Sequence, residues 1–142
     1  MKKYYYFGYG MNTNVAQMSY RCPRAVSLGH AMIKDYEFRF ARHADVVPRA
    51  GGLVDGVLWE ITDECLKNLD ALEGYPTYYN RITVPVHVGN KIVSALVYVM
   101  NVGYPYEAPA ESYYQMLLEG YSEHGVPLTQ IHLALKTRSP QI

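Results

Sequence analysis

The sequence predicts an α+β fold: a small, mixed, strongly curved or barrel-like β-sheet flanked by helices. Three observations lead there. Five or six stretches carry strand patterning, and most follow one another as antiparallel neighbours would. Three or four helical stretches interrupt them, but without the regular strand–helix alternation that a doubly wound parallel sheet requires. The run Val57-Leu58-Trp59 places three apolar residues in succession, as in a strand buried on both sides or bent around a barrel.

In chain order, Lys3 to Phe7 reads as a buried strand that runs into Gly8-Tyr9-Gly10. Thr13 or Asn14 can cap a short helix, and Asn14 with Gln17 has the form of a capping box. Val15, Met18 and Tyr20 give that helix an apolar side, and Cys22-Pro23 ends it. Ala25 to Met32 and Tyr36 to Phe40 read as strands, Asp45 to Pro48 as a short extended piece. Gly51-Gly52 then reads as a turn before a strand from Leu53 to Ile61. Thr62 caps the clearest helix, with Asp63 and Glu64 in its first turn and a stripe of Cys65, Leu66, Leu69 and Leu72. It ends at Glu73-Gly74. Tyr79 to Val88 and Lys91 to Met100 pair across a tight turn at Gly89-Asn90, with Pro85 marking an edge or a bulge. Ala110 to His124 is a second helix with Tyr113, Leu117 and Tyr121 on one side. Gly125 closes it, and Pro127 opens a last helix to about Lys136, before a frayed tail from Ser139 to Ile142.

The 142 residues suit one domain with its own core. A formal net charge of zero, without a basic run, excludes the positive field that nucleic acid or an anionic membrane would need. No secretion signal or membrane-length apolar run is present, and the two cysteines do not form a dense framework. These features point to a reduced, cytoplasmic setting. Fifteen tyrosines stand against three phenylalanines, so many rings must bury their body while the hydroxyl finds a partner.

Two features carry candidate chemistry. The order strand, glycine turn, helix start at Phe7 to Asn12 places unpaired backbone amides beside a pocket, although a plain connecting turn has the same pattern. Gly8 and Gly10 admit positive φ or a close approach to the backbone. Glu73 lies at a helix C-terminus, where the dipole raises a carboxyl pKa, as a general base and acid near neutral pH requires. An exposed helix-end glutamate would look the same. His30, His43, His87, His124 and His132 show no metal-ligand spacing. Cys65 falls on an apolar stripe, Cys22 lacks an evident base, and Ser19, Ser27 and Ser94 lack a nucleophile elbow.

Several segments together resemble the gamma-glutamylcyclotransferase-like family, which includes the AIG2-like and butirosin-pathway enzymes. They are Tyr9-Gly10-Met11-Asn12, Gly56 to Ile61, Leu69-Asp70 with Glu73-Gly74, and Tyr79-Asn80-Arg81. Pro109, Tyr113, Gly120, Gly125 and Pro127 follow at the family's intervals, so the resemblance spans nearly the whole chain. It implies a small mixed barrel flanked by helices and the conversion of a gamma-glutamyl amide or amino acid to 5-oxoproline, without metal or cofactor. It also implies Glu73 as the catalytic glutamate and Tyr9, Gly10, Met11 and Asn12 as the anion-binding loop; the glycine-turn reading adds Gly8 to these substrate-binding residues. Tyr113 would be a substrate-side tyrosine and Tyr79 would close the other side of the pocket, with Tyr78 an alternative to Tyr79. Met11 stands where the family has serine, which keeps the backbone donor and removes a hydroxyl. A lyase for a specialised gamma-glutamylated amine, or a non-catalytic small-molecule binding protein, would use the same pocket. The expected partner is a small gamma-glutamyl substrate, and nothing in the sequence sets an oligomeric state.

Overall fold

A computed structural model describes residues 2–101 and 104–136. The elements are β1 (Lys3–Gly8), a 3-10 turn (Met11–Thr13), α1 (Val15–Arg21), β2 (Val26–Ala41), β3 (His43–Thr62) and α2 (Asp63–Glu73). After them come β4 (Tyr79–Val88), β5 (Lys91–Met100), α3 (Glu111–His124) and α4 (Thr129–Lys136). The strands form a closed barrel in the order β1-β3-β2-β4-β5. β1 runs antiparallel to β3 along its length and meets β5 in parallel at Tyr6 and Leu96, which closes a mixed sheet. Val57, Leu58 and Trp59 are all buried, so β3 is covered on both faces there. The Trp59 ring packs edge-on against His124 of α3, and its Nε1 donates to the Asn12 carbonyl at 2.9 Å.

The largest departure from the sequence expectation lies in β2 and β3. The four expected pieces are two long strands of one hairpin, and the chain reverses at Arg42 (φ 70°), between Ala41 and His43. Gly51-Gly52 does not reverse the chain. It sits opposite Asp35, with Gly51 at φ 80°, Asp35 at φ 67° and the Gly51 amide donating to Asp35 Oδ1 at 2.9 Å. The register slips between Lys34 and Tyr36. A left-handed pair facing across two strands makes a bulge that bends the ribbon, and the continuous pairing on either side overrides the local turn signal.

Asn14 caps α1 by accepting from the Gln17 amide at 3.1 Å. Only Met18 of the expected apolar side is buried; Val15 is exposed, and Tyr20 is 87% exposed. A helix of seven residues has room for one inward position, and polar ties to α3 hold the rest. The Asn14 amide group donates to the Met116 carbonyl and to Glu119 Oε1, and Glu123 Oε1 accepts from the Val15 amide at 2.8 Å. α2 is capped as expected by Thr62, with Gly74 left-handed at φ 67°. Cys65 and Leu69 are buried, whereas Leu72 is exposed because it stands at a cavity mouth.

Cys22 and Cys65 are joined in a disulfide (Cα–Cα 5.0 Å) linking the end of α1 to the start of α2. This corrects the expectation of two unpaired thiols and removes the cysteine-based ground for a reduced setting. The pairing depends on α1 packing against α2, which 43 residues of separation conceal. No helix among the described residues is long and apolar enough to cross a membrane.

The β4–β5 hairpin spans the expected residues. Pro85 causes no bulge: it pairs with Ser94, in a strand whose ladder pairing with β2 is the single pair Met32 and His87. In α3, Leu117 and Tyr121 are fully buried. α4 begins at Thr129, beyond Pro127, and packs on β2. The expected frayed tail lies outside the described residues.

α3 approaches the 3-10 turn so closely that a Cβ on Gly120 would lie 2.3 Å from Thr13 Oγ1 and 2.6 Å from the Asn14 amide nitrogen. Relief would require moving backbone. Gly120→Ala is therefore expected to destabilise the fold by about 1–3 kcal/mol, read as a lower urea midpoint at unchanged m-value.

Candidate active site

β1 ends where the barrel closes, and the chain leaves it through Tyr9 and Gly10 into the 3-10 turn. A cavity of about 190 Å³ opens beside that turn. Tyr9, Gly10, Met11 and Asn12 line the cavity, as do Leu72 and Glu73 at the end of α2. Tyr78, Tyr79 and Tyr113 close the sides. Of the residues expected to be catalytic or substrate-binding, Gly8 alone does not line the cavity. It lies behind the turn, where a Cβ would sit 3.1 Å from the Asn12 carbonyl oxygen. Neither glycine has positive φ. Gly10 is required by close approach, since a Cβ there would lie 2.9 Å from the Tyr113 hydroxyl and 3.0 Å from Ala44 Cβ.

Asn12 holds the turn in place. It is buried; its Nδ2 donates to Tyr6 Oη at 2.9 Å, and its Oδ1 accepts from Arg21 Nη1 at 2.5 Å. With the Trp59 bond to its carbonyl, it ties together β1, α1 and β3. Thr13 Oγ1 closes the turn onto the Gly10 carbonyl at 2.8 Å. As the first amides of a helical turn, those of Met11 and Asn12 lack intrahelical partners. The Met11 side chain runs back to Arg21, whose Nη2 donates to Sδ at 3.1 Å.

Glu73 is half-buried at the α2 C-terminus. Burial pushes its carboxyl up to about 7, and the Arg21 guanidinium pulls partly the other way. The sequence pointed to the helix dipole; the cause that raises it in the structure is desolvation by burial. The end of α2 is fixed by Asp70, one turn before Glu73. Arg81 Nη1 donates to both Asp70 carboxylate oxygens (2.6 Å to Oδ1), and Tyr98 Oη donates to Oδ1 at 2.6 Å. Asp70 and Arg81 thus anchor the helix end to β4 and β5.

The tyrosine hydroxyls are held by backbone. Tyr79 donates to the Ala44 carbonyl at 2.7 Å, Tyr113 accepts from the Ala44 amide at 3.0 Å, and Tyr9 donates to the Tyr98 carbonyl at 2.6 Å. Burial raises the pKa of all three, and Glu73 adds to the shift, so they remain neutral at physiological pH. Tyr78 and Tyr79 both line the cavity; the Tyr78 hydroxyl pairs with His43 Nδ1 at 3.0 Å. Burial, and then Arg42, lowers the pKa of His43, which favours neutral imidazole.

Arg21, Tyr6 and Tyr98 also line the cavity and were not singled out; His43, weighed in the sequence only as a metal ligand, lines it too. Arg21 left a signal: it follows the cap residue Asn14 by seven, two helical turns, which puts both on one face. His43 left none, because its place follows from the reversal at Arg42.

Against this geometry, the family model "Gamma-glutamyl cyclotransferase, AIG2-like" matches residues 6–121. The chain belongs to that family. Bos taurus gamma-glutamylcyclotransferase is 25% identical over 89% of this chain and 74% of its own length. A solved gamma-glutamyl cyclotransferase superposes with a TM-score of 0.84 at 25% identity, over 99% of this chain and 90% of its own. A Homo sapiens protein of uncharacterised function gives 0.84 at 26% identity, with the same coverage. Bacillus subtilis YkqA shares the fold (TM-score 0.83, 21% identity), and this chain spans 57% of its length.

The opposition between burial and Arg21 can be measured directly. Carboxyl ¹³C chemical shifts should give Glu73 a midpoint of about 7. Arg21→Gln removes the stabilising cation and should move that midpoint upward.

Proposed function

We propose that the chain catalyses the cyclisation of a gamma-glutamyl amide or gamma-glutamyl amino acid to 5-oxoproline, with release of the amine. The observation that carries this reading is Glu73, a carboxyl poised at about 7 by burial inside the cavity lined by the Tyr9–Asn12 turn. Membership of the gamma-glutamyl cyclotransferase, AIG2-like family supports the same reaction class.

In this mechanism ionised Glu73 takes a proton from the substrate ammonium, and the freed amine attacks its own gamma-carbonyl carbon. A new carbon–nitrogen bond closes the five-membered lactam while the original amide bond breaks. The attacking nitrogen loses two protons in all. Both end on the departing amine, which leaves as an ammonium ion, and Glu73 returns to the carboxylate. Amides of the Gly10–Asn12 turn receive the developing oxyanion or the substrate alpha-carboxylate, held in position by Asn12 and its three partners. Tyr79 and Tyr113 bound the folded substrate, and Gly8 supports the turn from behind. The reaction is intramolecular, so the main task is to hold the cyclising conformation; well-held pairs reach effective molarities of about 10⁵–10⁸ M. The atoms balance without a cofactor or a protein nucleophile.

Two outcomes test the role of Glu73. kcat/KM for 5-oxoproline release should rise with pH through about 7, as the base ionises. Glu73→Gln should lower it by about 10²–10⁴-fold; full activity in this variant would overturn the proposal. The same substitution should stabilise the protein at alkaline pH. The folded-state pKa is raised from 4.5 to about 7, so Glu73 costs increasing stability as pH climbs through that window and its full cost above it. Thermal scans at pH 8 should show a higher Tm for Glu73→Gln, with the difference vanishing near pH 4.

A further inference from the structure

The two ends of the cavity differ in chemistry. Among the described residues lining it, Glu73 and Arg21 are the formally charged ones, and both belong to the side formed by α2, α1 and the Met11–Asn12 turn. The opposite side is built of rings. His43 meets Tyr113 with centroids 5.1 Å apart and Tyr78 at 6.0 Å. Tyr78 meets Tyr79 at 5.0 Å and Tyr104 at 5.4 Å, all edge to face. Tyr104 does not line the cavity. It is 38% exposed and borders a second, larger groove of about 560 Å³ together with Tyr36, Pro105 and Tyr106. The ring series therefore leads from the cavity wall outward to an aromatic groove.

The cations on that side already have partners: Arg39 and Arg49 line the groove, and Arg49 Nη1 lies 3.1 Å from Glu37 Oε2. Burial favours neutral His43. The cation at the hairpin tip, Arg42, is 63% exposed, lies 3.7 Å from Glu107 and is screened by solvent. Arg39 directs a guanidinium donor to the Tyr104 carbonyl at 2.7 Å. A leaving group bearing its own carboxylate meets, among the described residues of that side, only cations already engaged by Tyr104, Glu37 or Glu107, whereas an aromatic leaving group meets ring edges and faces that complement its quadrupole.

Resting on the cyclisation reading above, we infer that the preferred donors are gamma-glutamyl conjugates of uncharged arylalkyl amines, their ring lying against Tyr78 and Tyr104. The glutamyl end lies between the Gly10–Asn12 turn, Arg21 and Glu73. The aryl end extends past Tyr78 toward the groove.

The test compares gamma-glutamyl phenethylamide, gamma-glutamyl ethylamide and gamma-glutamyl phenylalanine. Turnover is measured with the wild-type chain, and calorimetric binding with Glu73→Gln, which holds donors without consuming them. The phenethylamide should exceed the ethylamide by about tenfold in kcat/KM and in affinity, and should exceed the phenylalanine conjugate as well. Tyr104→Ala, at an exposed ring, should narrow the phenethylamide-to-ethylamide ratio about threefold or more. Equal turnover of the two amides overturns the aromatic preference while leaving cyclisation standing. A phenylalanine conjugate that matches or surpasses the phenethylamide overturns the requirement for an uncharged amine. Absence of turnover with every donor, but retained preference for the aryl amide in binding, sinks the cyclisation reading alone. Absence of both turnover and binding preference sinks the two together.

Discussion

The side chain and carbonyl of Asn12 are the knot on which the rest of the site depends. β1, β3 and α1 reach the cavity from different directions, and each ends on this one residue through Tyr6, Trp59 and Arg21. A buried amide must have its donors and acceptors satisfied or cost stability. The three partners therefore fix the 3-10 turn as firmly as secondary structure would. Arg21 is orientated by the same bond, so the cation that moderates Glu73 is placed by the residue that shapes the turn. Barrel closure, turn geometry and the charge balance of the cavity are one connected arrangement.

Glu73 shows what that arrangement is set against. A carboxyl at a helix end would ordinarily be solvated and ionised at neutral pH. Here the Asp70–Arg81–Tyr98 cluster anchors the end of α2 to the sheet, so the side chain cannot swing out with a fraying helix. The desolvation that destabilises its charge is the same desolvation that brings its pKa to about 7, which the proposed role as general base requires.

What was legible in the sequence was what local chemistry dictates. Thr62 and Gly74 mark the ends of α2, Asn14 the start of α1, and Gly89-Asn90 the β4–β5 turn, because capping and tight turns draw on neighbours in the chain. The residues gathered at the cavity could be named because Tyr9–Asn12, Glu73, Tyr79 and Tyr113 matched a family pattern; the placement of Gly8 behind the turn follows from packing and could not. Where partners are distant, local signals misled. Gly51-Gly52 has the composition of a turn, yet pairing with Asp35 across the ribbon turns it into a bulge. Cys22 and Cys65 become a pair only once α1 rests against α2. His43 acquires its place from a reversal at Arg42, which has none of the usual turn chemistry.

Met11 bears on the electrical character of the cavity. A thioether is polarizable but a weak acceptor, so its contact with Arg21 takes little from the guanidinium. A hydroxyl at this position would import a permanent dipole and a foothold for water. An apolar methionine keeps that wall dry, which strengthens both opposing influences on Glu73: the burial that raises its pKa and the Arg21 field that lowers it. A substitution in the turn that leaves its backbone unchanged can thus retune the acidity of a carboxyl on another helix, through the medium between them and without touching it.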